Sequence, residues 1–168
     1  MINYYDAIST GYEELHKQEQ ENKIKIIKEN LPFKIKPDYK LLDVGCGTGI
    51  TTLCWDCKIY GLDPSIKLLE KAKSKNIKNV NWIHAPAENI PFKDNEFDIV
   101  TSITAIQNFD NLEKGLDEIK RVGKNKFILT FLKASLRKDI IDKTIKNKFK
   151  ISKIIEEDKD LIYLIDKQ

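Results

Sequence analysis

Short apolar runs alternate along this chain with longer stretches whose apolar positions recur three and four residues apart, the spacings of buried strands and one-sided helices. Ile24, Ile27 and Leu31 share one face of a segment otherwise rich in Glu, Lys and Gln, which predicts a helix over 12–30. Pro32 and Pro37 then punctuate a linker. Beyond it the pattern predicts strands over 40–44, 58–62, 80–84, 97–102 and 126–132, with helices over 64–75 and 111–122 between them. A helix over 135–149 carries Ile141, Ile145 and Phe149 on one stripe, and strands over 150–155 and 161–166 close the chain as a hairpin.

Strands alternating with helices predict an α/β fold, with right-handed crossovers, a mainly parallel sheet covered on both faces, and a ligand site at the carboxyl ends of the strands. With 168 residues the chain has the size of one domain. We expect 1–168 to form it, with 1–36 an N-terminal lid and helix region and 37–168 the core.

Composition narrows the function less than the pattern does. Basic residues number 29 and acidic residues 26, a net charge of +3 that argues for neither nucleic acid nor membrane partners. No apolar run reaches the roughly 20 residues of a bilayer span, and Met1 leads into polar residues, so the expected location is cytoplasmic. Three cysteines are an odd count and fit a reducing compartment.

The richest stretch is Leu41-Leu42-Asp43-Val44-Gly45-Cys46-Gly47-Thr48-Gly49-Ile50, a strand entering three alternate glycines and then a short helix. Such a loop lets backbone approach a ligand that side chains would exclude. Asp63, eighteen positions past Gly45 at the end of the next strand, could accept hydrogen bonds from both hydroxyls of a ribose. Together they predict a nucleoside pocket. The dinucleotide fingerprint would need its third glycine at Ile50, or at Thr52 if counted from Gly47. Asp43 would repel a pyrophosphate, yet it suits a ligand carrying an ammonium group and a sulfonium.

Asp43-Val44-Gly45-Cys46-Gly47-Thr48-Gly49 and Gly61-Leu62-Asp63-Pro64-Ser65 resemble the first two motifs of class I S-adenosylmethionine-dependent methyltransferases. Residues 85–100 and 111–130 are similar to the later strand and helix blocks of that family. The resemblance implies a three-layer Rossmann-like fold, its mostly parallel seven-stranded sheet ending in an antiparallel strand, and S-adenosyl-L-methionine as cofactor. It implies that Gly45, Cys46 and Gly47 line the methionine part with Asp43 near its amino group, that Asp63 holds the ribose, and that Pro64 and Ile66 flank the adenine. Ala87 and Glu88 would sit at the adenine edge, Thr101 would also contact the cofactor, and Tyr5 and Tyr12 would close a lid. Pro86 stands where the family often has an Asp that binds the adenine amino group, and only 50–57 separates Gly49 from the second strand.

Methyl transfer from a sulfonium demands alignment more than an acid or base. The segment 101–109 faces the methyl group in similar proteins. It lacks the Asn-Pro-Pro-aromatic arrangement, which argues against adenine-N6 and glutamine-amide acceptors. Gln107, Asn108 and Tyr12 are the catalytic candidates; the two amides can orient an acceptor but cannot take its proton. That favours an acceptor that ionises itself, or a nitrogen or sulfur.

Cys54 and Cys57 form C-x-x-C without a matching second pair, so no metal is expected. His84 reads as a strand-end residue, His16 as solvated, and Trp55 and Trp82 as packing. Residues 133–153 hold eight basic groups against two acidic ones, read as a solvated helix face in preference to an RNA surface. The expected partner is a small-molecule or RNA acceptor, with no DNA and no membrane; an activator subunit or a homodimer stays open. The alternative is a non-catalytic cofactor-binding or scaffold subunit.

Overall fold

Consecutive residues of the central strands feed two separate apolar layers. Leu41, Ile99, Ile128 and Leu164 pack on one face of a sheet, and their neighbours Leu42, Val100, Leu129 and Ile165 pack on the other. Period-two alternation of residues that are all apolar is the mark of strands buried on both sides. The computed structural model describes residues 10–167. Its elements are α1 (Thr10–Asn30), β1 (Lys40–Val44), β2 (Lys58–Asp63), α2 (Ile66–Ser74), β3 (Val80–His84), β4 (Phe97–Ser102), α3 (Leu112–Val122), β5 (Gly123–Leu132), α4 (Lys138–Lys148), β6 (Lys153–Glu156) and β7 (Asp160–Asp166).

The sheet has seven strands in the order β3-β2-β1-β4-β5-β7-β6. Pairing is parallel from β3 through β5. β7 lies antiparallel to both β5 and β6. Ile24 and Ile27 of α1 cover one face, whereas Leu116 and Ile119 of α3 with Ile141 and Ile145 of α4 cover the other. Each of these side chains, enclosed to within a few per cent, contributes about 1.5–3 kcal/mol. Among the described residues no helix is long and apolar enough to cross a membrane.

Caps set the helix starts. The Ser65 hydroxyl accepts the Leu68 N–H at 3.3 Å and the Asn111 amide oxygen accepts the Lys114 N–H at 3.0 Å, so α2 and α3 begin at 66 and 112. α4 begins at 138, three residues later than expected, after a turn in which the Ser135 hydroxyl accepts the Arg137 N–H. β6 also starts three residues late, at 153, and β5 three residues early, at 123.

The helix expected after the glycine loop does not form. Residues 50–54 are turns, with a single helix-like bond from the Leu53 N–H to the Gly49 carbonyl at 3.2 Å. The connection must return the chain along the five residues of β1, about 16 Å at 3.3 Å each, and eight residues coiled as a helix would cover only about 12 Å.

Candidate active site

The chain runs outward from β1 to β2 and β3, then crosses back to β4 and β5. This reversal between β1 and β4 is the switch point at which open α/β sheets bind ligands. Gly45 follows β1 and Ala105 follows β4, and the two meet there. Gly45 has φ +78°, and a Cβ on it would lie 2.5 Å from the Ala105 Cβ, so only glycine fits. Gly47, with φ +55°, would direct a Cβ into space holding no atom within 4 Å. The space beside it is open.

Asp63 ties this loop to the next strand. One carboxylate oxygen accepts the Gly47 N–H and the other the Ser65 N–H, both at 2.8 Å. A carboxylate oxygen has two lone pairs, so among the described residues each keeps one for another donor. Burial raises the Asp63 carboxyl above its ordinary value, against the two backbone donors that pull it down. Pro64 follows, its carbonyl 2.9 Å from His84 Nε2, and Ile66 on the first turn of α2 is 56% exposed beside it.

Asp43 and Thr101 are fully enclosed and face each other. The Thr101 hydroxyl donates to Asp43 Oδ1 at 2.8 Å, and Thr52 and Thr51 donate to Oδ2 at 2.7 and 3.3 Å. Burial pushes this carboxyl up too. Neither side chain lines the cleft; they fasten the turns behind the glycine loop. Cys46 is buried among β-strand ends and its thiol is pushed far above the usual range by burial, so only its backbone is available to a ligand. Trp82 packs on the sheet, within 2.6 Å of where a Gly49 Cβ would sit and 2.7 Å of one on Gly61.

Ala87 is buried, and Glu88 accepts the Asn111 N–H at 3.1 Å, which turns one of its oxygens toward the start of α3. Gln107 donates its amide to the Thr104 carbonyl at 2.8 Å, while Asn108 is exposed. Tyr5 lies outside the described residues, as does the side chain of Tyr12.

Several residues that shape the site carry no motif. Arg121 donates to the carbonyls of Phe92 and Ile90 at 2.8 and 3.0 Å and pairs with Glu118 and Asp94. It thereby pins the loop between β3 and β4 that carries Ala87 and Glu88. Arg137 donates to the carbonyls of Gln107 and Phe109 at 3.1 and 2.6 Å. These are the two arginines of a lysine-rich chain; Arg121 spreads its contacts over Nε and both terminal nitrogens, the planar fork that lysine lacks, and Arg137 bridges its two carbonyls through Nη1. That rarity was the available signal. Thr104, just past β4, takes φ +54°, a strain on the order of 1–3 kcal/mol.

Residues 42–131 match the family described as methyltransferase domain. An uncharacterized protein of Methanocaldococcus jannaschii, MJ1252, is 34% identical over 149 residues, covering 88% of this chain and 57% of its own length. The ubiquinone/menaquinone biosynthesis C-methyltransferase UbiE of Campylobacter jejuni is 34% identical over 113 residues, 61% of this chain and 48% of that protein. The chain thus spans about half the length of the curated relatives it matches. The crystal structure of PH0226 from Pyrococcus horikoshii superposes with a TM-score of 0.80 at 21% identity, covering 100% of both chains, and so shares the fold. The match through the glycine loop, Asp63 and the strands as far as β5 places this chain in the methyltransferase-domain family, among the class I S-adenosylmethionine-dependent methyltransferases.

Proposed function

We propose that this chain transfers a methyl group from S-adenosyl-L-methionine to a small-molecule acceptor. The observation that carries the reading is the open space over Gly47, bounded by an Asp63 carboxylate with free lone pairs. Backbone at Gly45, Cys46 and Gly47 would receive the amino-acid part, Asp63 the ribose, and Pro64, the exposed Ile66 and Ala87 the adenine. The cofactor brings a methyl group already activated by a positive sulfur. Asp43 and Thr101 would act from behind, by holding the loop that makes the cradle.

Among the described residues, no side chain placed at the acceptor side is built to remove a proton. The Gln107 amide is turned onto the Thr104 carbonyl, and His84 is engaged with the Pro64 carbonyl. The acceptor therefore supplies its own nucleophile, as an ionised oxygen or carbon acid or a neutral nitrogen or sulfur; the carbon-methylating relative fits that class. The lysine-rich face favours a small molecule over RNA, because Lys146 pairs with Asp142, Lys148 with Glu113 and Asp117, and Lys153 donates to Asn30. Tyr5 and Tyr12 remain the proposed lid.

Calorimetric titration with S-adenosylmethionine and S-adenosylhomocysteine tests the reading. Wild type should bind both, and Asp63→Ala should weaken each by at least about tenfold. A wild type that binds neither ends the proposal; an unweakened Asp63→Ala removes the ribose assignment. Binding without methyl transfer to any fraction of a cell extract would leave the scaffold-subunit reading.

A further inference from the structure

Thr104 is held in its left-handed backbone from three directions. Its N–H donates to Thr130 Oγ1 on β5 at 2.8 Å, its hydroxyl donates to Asp160 Oδ2 at the start of β7 at 2.7 Å, and that hydroxyl accepts Lys23 Nζ from α1 at 2.6 Å. Lys23 and Asp160 also form an ion pair at 3.1 Å, their side chains only 3% and 0% exposed. Thr130 donates to the same Asp160 oxygen at 2.7 Å, and Gln20 accepts from Lys23 at 3.3 Å. The other Asp160 oxygen is buried with no partner among the described residues.

A buried ion pair of this kind is a poor source of stability compared with apolar packing, because both charges lose their water. What it does here is enforce a conformation that a β-branched residue avoids. Ala105 comes next in the chain, and its Cβ is the atom that a side chain at Gly45 would strike. The position of Thr104 therefore sets the wall against which the glycine loop is seated.

We propose that Lys23 is a positioning residue for cofactor binding: through Asp160 it locks Thr104 in the left-handed conformation and thereby seats Ala105 against Gly45. Lys23 is thus coupled to the cradle without touching the ligand. The inference rests on the methyltransferase reading.

The test is calorimetry with S-adenosylhomocysteine on variants confirmed as folded by circular dichroism. Lys23→Met should raise the Kd roughly tenfold. Adding Thr104→Gly should bring it back to within about threefold of wild type, because glycine takes positive φ without support; a merely structural ion pair predicts no such rescue. Thr130→Val keeps the volume, removes the acceptor of the Thr104 N–H, and should weaken binding likewise, which covers the case of a Lys23→Met chain that does not fold. Folded variants that bind as wild type does, or a double variant no better than Lys23→Met, overturn the proposal while leaving the methyltransferase reading in place. A wild type that binds no S-adenosylhomocysteine removes both.

Discussion

The Gly47 N–H donates to the Asp63 carboxylate at 2.8 Å, so the loop after β1 and the acid closing β2 form one unit. The Ser65 N–H on the other oxygen extends that unit to the start of α2. A ligand that met Asp63 would therefore find the glycine backbone already in place, and the ordering cost of binding would be correspondingly small.

Gly45 and Gly47 should respond differently to alanine. Both have positive φ, which costs a non-glycine residue about 1–2 kcal/mol. Gly45→Ala adds an overlap with Ala105, a further 1–3 kcal/mol or so of overpacking, whereas Gly47→Ala meets no atom within 4 Å. Urea unfolding should show the larger loss in Gly45→Ala, yet cofactor titration should show Gly47→Ala binding poorly while still well folded. Tight binding by Gly47→Ala would mean that the cleft is not where the ligand lies.

Arg121→Lys should behave as a disruptive change despite keeping the charge. A single ammonium cannot satisfy two carbonyls and two carboxylates in one plane. The expected loss is about 1–3 kcal/mol, accompanied by faster proteolysis within 89–95. Limited digestion that cuts the variant and wild type equally there would show that another contact holds this loop.

Which of these features the chain discloses unaided depends on how local their causes are. β1, β3 and β4 are each a short apolar run bounded by turn residues, and they lie where the pattern places them. The helix that the pattern predicts after Gly49 does not form, because helix-compatible residues say nothing about the distance the connection must span. The glycine loop and Asp63 were legible because their requirement is for backbone shape at fixed spacing. Asp43 with Thr101, 58 positions apart, and Lys23 with Asp160 were not, since each polar residue has an unremarkable reading until the sheet register brings its partner beside it.

The cysteines should be sluggish. Burial pushes the Cys57 thiol up to about 11, aided by Asp56 and Asp98, and raises Cys54 and Cys46 as well. Only the thiolate reacts with a disulfide reagent, so at about pH 8 Cys57 should label on the order of 100-fold more slowly in the folded protein than in urea. Rapid labelling of the native chain would show that the partial burial of Cys57 does not hold its thiol up.

Acidification offers a check on the Asp43 network. Its carboxyl sits above the ordinary 3.8 chiefly through burial, with Thr52, Thr101 and Thr51 pulling it down and Asp63 pushing it up. Between the unfolded and folded values the native state holds a proton that the unfolded chain has released, so this group's contribution to stability falls as pH rises through that window. Asp43→Asn is neutral throughout and lacks that slope, while every other titrating group, the similarly raised Asp63 included, is present in both proteins. Thermal melts from about pH 7 down to about pH 4 should show the stability of the variant relative to wild type to be greatest at neutrality and to decline on acidification. A relative stability that climbs as the acid is added would place the Asp43 carboxyl below its ordinary value, and the three threonine hydroxyls would then outweigh its burial.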